Sequence, residues 1–141
     1  MTNTLERAKT LLHDKKLSIV LIKDSDIYTS VKRGISPILD IIDENRELML
    51  GSDIADKVIG KAAAMLMAAN GVKNVYTDVI SEHALDVFNK NGISCEYGRS
   101  VPYIVNRKGD GMCPMEQTVL NLTDIKYAET LLRNKLKELQ G

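Results

Sequence analysis

Apolar residues near the start of the chain recur at Leu5, Ala8 and Leu12, with Leu11 beside them, and charged residues fill the gaps. That spacing predicts a helix over 4–15 with one apolar face. At Ser18 the pattern changes to SIVLI, a nearly continuous β-rich run of the kind found in strands covered on both faces. Asp24-Ser25-Asp26 interrupts it as a turn, and 27–31 reads as the returning strand of a hairpin.

Ser36-Pro37 then supplies a cap and a first-turn proline ahead of Ile38, Leu39, Ile41 and Ile42. From Ser52 or Asp53 one long helix is predicted to reach Asn70, with Gly71 closing it. Its small-residue interior, GKAAAMLMAA, predicts burial. NVYTDV (74–79) is a strand, and Ser81 caps a helix through Phe88 to Gly92. Ile93, Cys95 and Tyr97 alternate with Ser94 and Glu96 as in a half-buried strand. A further strand is expected at 101–106, where Pro102 marks an edge or a start. After the Gly109–Gly111 loop come a short helix from Pro114 and a final helix with Ile125, Ala128, Leu132, Leu136 and Leu139 on one face. The order α-β-β-α-α-β-α-β-β-α-α predicts an α/β fold: a single mixed sheet with helices on both faces. With no repeat, low-complexity tract or linker, 1–141 reads as one domain.

Composition changes this picture little. The 141 residues are 44% hydrophobic and 27% charged, enough for a core without staples. Nineteen basic residues balance nineteen acidic ones, so no overall field draws in nucleic acid. The charged N-terminus lacks the apolar run of a leader, and no window approaches a membrane span. Two cysteines, Cys95 and Cys113, make no disulfide framework, and reduced thiols in a cytoplasmic protein are expected.

Four stretches carry a family likeness: KRGISPIL (32–39), IGKAAAML (59–66), VYTDVISEHAL (75–85) and GMCPME (111–116). Over nearly its whole length the chain resembles a small family of uncharacterised bacterial proteins assigned to the cytidine-deaminase-like fold. The resemblance implies that fold and no particular reaction. Zinc deaminases place His or Cys, then Glu two residues on, at one helix start, and Pro-Cys-x-x-Cys at the next. Here those positions hold Ile59-Gly60-Lys61 and Asp78 to Glu82. No zinc ligand set is present, so neither zinc nor any other cofactor is expected. The fold would instead bring Lys61, Ser81, Glu82 and His83 to one pocket at two helix N-termini.

Cys113 stands where an N-cap would, with Pro114 at N1 and Glu116 at N3. A helix N-terminus favours a thiolate, and Glu116 opposes it; a buried thiol beside a structural turn is the alternative. His83, in the first turn after a strand, could serve as a base or donate to an anion. Lys61 either snorkels out of an apolar run or meets a carboxylate or phosphate. Lys32 and Arg33 precede a helix start, a second place for an anion.

Two readings follow. One is a zinc-less module binding a nucleotide-like or anionic small molecule through Lys61, Ser81, Lys32 and Arg33. The other is a metal-independent enzyme with Cys113 as nucleophile, His83 as base and Glu82 nearby. A homodimer is also expected to be possible, through the apolar face of the last helix or through the edge strand.

Overall fold

A computed structural model of the protein describes residues 3–140. The chain runs α1 (Asn3–Asp14), β1 (Ile19–Lys23), β2 (Asp26–Ser30), α2 (Ser36–Asn45), a 3₁₀ turn (Arg46–Met49) and β3 (Asp53–Ile59). It continues with α3 (Lys61–Ala69), β4 (Asn74–Ser81), α4 (Glu82–Lys90), β5 (Ser94–Val101), α5 (Pro114–Thr118), a 3₁₀ turn (Ile125–Tyr127) and α6 (Ala128–Gln140). The strands form one mixed sheet in the order β2-β1-β3-β4-β5. β1 is antiparallel to both neighbours, while β3, β4 and β5 run parallel. The α/β mixed sheet expected from the pattern is present.

Two expected elements differ. The single helix predicted from Ser52 to Asn70 is a strand followed by a helix. DIADKVI becomes β3, the centre of the sheet, and only Lys61–Ala69 is helical. The strand predicted at 101–106 is absent: β5 ends at Val101, and Val105 makes a single bridge to Met112. The cap of α2 also moves, to Ile35, which makes no side-chain capping bond.

The sheet separates two unequal cores. On one face Leu5, Ala8 and Leu12 of α1 meet Val20, Ile22, Ala55 and Tyr76. On the other, α2 to α6 cover Ile19, Leu21, Ile54, Ile59, Val75 and Ile80. Ala62 to Met67 are all buried, as an apolar helix between a sheet and other helices must be.

Alternation along the central strands slips once. Val75 and Ile80 both enter the larger core although five residues separate them, as do Ile54 and Ile59. At that level the ladders skip one pairing on each side of Asp78, opposite Lys57 and opposite Gly98. The register offset is the same on both sides of this break, so no strand carries an extra residue against its neighbour; the three strands break alternation together, and we call this shared break the bulge. Asp56 is paired with Ile19 and so lies on the larger-core side. Its carboxylate accepts from the Val58 amide at 3.4 Å and from Lys57. The Thr77 hydroxyl donates to the Val79 carbonyl at 2.9 Å. The Lys57 amide also donates to the Ser18 carbonyl at 3.1 Å, so buried side chains and neighbouring backbone together satisfy the groups at the break. On β5 the same row holds Gly98, where a Cβ would sit 2.7 Å from the Asp78 carbonyl oxygen.

Candidate functional site

β3 and β4 each run directly into a helix, so the starts of α3 and α4 lie side by side. Each start presents amides that no intrahelical carbonyl satisfies. Ser81 answers for α4, its Oγ accepting from the Ala84 amide at 3.1 Å. Gly60 has no side chain with which to answer for α3.

A third segment supplies the missing acceptor. The Glu116 carboxylate, 1% exposed, lies between the two helix starts. Its Oε2 accepts from the Lys61 amide at 2.6 Å and from the Ser81 hydroxyl at 2.5 Å, and its Oε1 accepts from the Ile104 amide at 2.7 Å. A negative group at paired helix N-termini is matched to their dipoles. The fit requires glycine at position 60 for space. A Cβ there would lie 3.1 Å from Glu116 Oε2 and 3.0 Å from Ile104 Cγ1.

The segment that delivers Glu116 is a small hairpin. Cys113 donates its amide to Ile104 at 2.7 Å, Asn106 to Gly111 at 2.8 Å, and Val105 bridges Met112. Asn106 and Asp110 close the turn with side-chain bonds, and Gly109 takes a positive φ of 77°. GDGMCP is thus the return of a hairpin that ends with Pro114 opening α5 and Glu116 on the helix starts.

The structure divides the sequence-predicted residues. Lys61 and Ser81 do meet, but through Glu116, and Ser81 is fully buried. The Lys61 ammonium turns elsewhere, donating to the Leu120 carbonyl at 2.7 Å. It opens onto a cavity of about 450 Å³ lined by Lys61, Asp86, Lys90, Asn91, Leu122 and Ile125, among others. Burial lowers the Lys61 pKa; Asp86 opposes that effect and Lys90 adds to it. Glu82 is exposed and His83 half-buried in the first turn of α4, and Cys113 is half-buried as N-cap of α5. None of Glu82, His83 and Cys113 lines the cavity. Lys32 is spent on Asp40 at 2.8 Å, with Arg33 exposed beside it. His13 is bonded to Asp78 at 2.8 Å, and Asp78 also accepts from the Tyr76 hydroxyl at 2.7 Å.

A zinc ion does not fit the paired helix starts. The groups converging there are two amides and a hydroxyl, all donating to one carboxylate, where a cation needs several acceptors. Among the described residues no group of three or more His, Cys, Asp or Glu could hold a metal.

Two features escape a reading along the chain. In sequence Glu116 is an acid in a helix's first turn and a counter-charge to Cys113; its partners lie up to 55 residues away. The available signal was Gly60, a helix start with no capping side chain of its own. Asp86 and Lys90, which flank the cavity, look like any exposed i,i+4 pair on a helix.

The sequence model of the TM1506 family, a domain of unknown function (DUF1893), matches residues 7–136. Among solved structures, a DUF1893 family protein (TM1506) from Thermotoga maritima is 29% identical with a TM-score of 0.84. That alignment covers 98% of this chain and 91% of that one. The dCMP deaminase of cyanophage S-TIM5 in apo form is 15% identical (TM-score 0.47), covering 69% of this chain and 99% of that one. A diaminohydroxyphosphoribosylaminopyrimidine deaminase/5-amino-6-(5-phosphoribosylamino)uracil reductase from Thermotoga maritima is 14% identical (TM-score 0.45), covering 82% and 40%. No curated protein matches the sequence.

Proposed function

The chain belongs to the DUF1893 family, and from its geometry we propose that it is a small-molecule-binding module whose ligand is anionic and of nucleotide size. The carrying observation is the contrast between two places. The paired helix starts are already filled by Glu116, whereas the neighbouring cavity of about 450 Å³ is open and holds a partly desolvated lysine. That volume lies in the usual range of small-molecule sites. Lys61 and Lys90 would meet a phosphate or carboxylate, and an anion there would offset the burial that disfavours the Lys61 charge. Asp86 and Asn91 offer an acceptor and a mixed donor–acceptor for the polar remainder of the ligand, with Leu122 and Ile125 against its apolar part.

Thermal unfolding with a panel of nucleoside monophosphates, and with inorganic phosphate, tests this. A ligand present at a hundred times its Kd stabilises the folded state by about 2.7 kcal/mol, a rise of several degrees in Tm. The rise is expected to vanish in Lys61→Met, which keeps the alkyl stem, and to persist in Cys113→Ala. No shift with any member of the panel, or an equal shift in Lys61→Met, would refute the proposal.

A further inference from the structure

Lys61 opens α3, an otherwise apolar helix, and its half-buried side chain shares the cavity wall with Met65, Val87, Leu122 and Ile125. Its ammonium is held by a neutral acceptor, the Leu120 carbonyl at 2.7 Å, whereas Lys32, Lys90 and Lys135 are each paired with a carboxylate. An ion pair keeps a lysine protonated; a carbonyl in apolar surroundings fixes the nitrogen without that demand. Burial lowers the Lys61 pKa and Lys90 adds to the effect, with Asp86 and Glu116 opposing it. A desolvated lysine beside a second cation is the usual form of an amine nucleophile.

The bond to Leu120 leaves the reactive electrons free. A neutral amine has two N–H groups and a lone pair, so one N–H can stay on the Leu120 carbonyl while the pair attacks. Addition to a carbonyl carbon gives a carbinolamine, and loss of water then replaces the carbon–oxygen double bond by a carbon–nitrogen one. Counted from the ammonium the balance closes: the oxygen leaves as water with two of the three protons, and a protonated imine remains. That imine has one N–H, and the Leu120 carbonyl is placed to accept it. The positive charge is the same before and after, so an anionic group on the ligand keeps its counter-charge.

We propose that Lys61 takes its ligand covalently, as a Schiff base, and that the ligand is an aldehyde or ketone bearing an anionic group. The anionic group rests on the reading of the cavity given above; the carbonyl rests on Lys61 itself. The step is reversible, since water entering the open cavity returns the amine and the carbonyl compound intact. The apolar side chains around the nitrogen slow that hydrolysis by limiting the water that reaches it.

Pyridoxal 5′-phosphate, which joins an aldehyde to a phosphate, and pyridoxal, which lacks the phosphate, serve as probes. Each is added in equimolar amount to the folded protein, reduced with borohydride and located by peptide mass spectrometry. Lys61 is one of thirteen lysines, and it is expected to carry most of the adduct from pyridoxal 5′-phosphate. Urea added beforehand should return it to an even share. Lys61→Arg, which keeps a cation but cannot form the imine, should lose that adduct and leave labelling of the other lysines unchanged. An even spread over the folded wild type, or a preferred lysine other than Lys61, would overturn the proposal without recourse to any variant. Pyridoxine 5′-phosphate, which has no carbonyl, separates the two readings. If it raises the Tm while pyridoxal 5′-phosphate leaves no adduct on Lys61, the anionic ligand stands and the Schiff base falls. If pyridoxal labels Lys61 as fully as its phosphate does, the Schiff base stands and the anionic group falls.

Discussion

At the scale of single residues, Glu116 and the two cysteines are where chemistry and packing separate. Glu116 satisfies three donors, so truncating it strands all of them, at about 1–3 kcal/mol for each buried group left unpaired. Glu116→Ala should therefore lose about 3 kcal/mol or more in urea unfolding. Acetate should restore part of that loss by placing a carboxylate in the vacated space, while chloride at the same ionic strength should not. Glu116→Gln should fall between, because its amide nitrogen would face at least one of the donors. An alanine variant as stable as wild type would remove Glu116 from the centre of the site. The cysteines differ in surroundings: Cys95 lies in β5 against the larger core, and burial, then Glu96, pushes its pKa up to about 12. From an ordinary value near 9, that shift reduces the thiolate at pH 8 roughly a thousandfold. Iodoacetamide labelling of the native protein, read by peptide mass spectrometry, should leave Cys95 unmodified until the pH exceeds about 10, and urea should abolish the protection. Rapid labelling of Cys95 at pH 8 in the folded protein would contradict this assignment. Cys113 labelled in the same digest reports the accessibility of the hairpin end.

At the scale of elements, the sequence is most legible where one local pattern decides the outcome. The 3.6-residue spacing of α1, the SIVLI strand, the Ser81 cap and the buried small-residue run of α3 all depend on neighbours along the chain. β3 is illegible for a specific reason. Asp53, Asp56 and Lys57 interrupt DIADKVI, so it shows neither alternation nor a continuous apolar run, and a glycine at position 60 is tolerable within a helix. Asp56 is buried because it holds the bulge, a tertiary demand that no local period records. The run at 101–106 fails in the opposite sense. Val101, Tyr103 and Val105 alternate like a strand, yet β5 has ended and the chain pairs with its own return at Met112. The candidate site divides the same way. That two helix starts converge was readable from the family resemblance; that Glu116 fills them, and that the Lys61 ammonium points away, depends on contacts across the fold.

At the scale of the whole molecule, the bulge costs stability in a way that pH exposes. Asp56 is buried beneath it, and burial, aided by the nearby negative charge of Asp78, pushes its pKa up to about 7, while two amide bonds pull the other way. In the unfolded chain the same group titrates near 3.9. Between those values the folded protein holds a proton that the unfolded chain has released, so stability falls as pH rises. The contribution is complete below about pH 4, declines from about 4 to 7 and is gone above, a total of order a few kcal/mol. Asp56→Asn keeps an oxygen to accept from the Val58 and Lys57 amides and cannot ionise. Urea unfolding of both proteins from pH 4 to 8 should therefore give curves that diverge in favour of the variant up to about pH 7 and run parallel above it. Curves that stay parallel throughout would mean that Asp56 is ionised in the folded protein and that its two amide bonds compensate for its burial. A gap that instead widened on the acid side would show the carboxylate form to be the one the bulge stabilises. The pH at which the divergence levels off thus measures, on the intact molecule, how far three strands bent around one bulge have shifted a single proton.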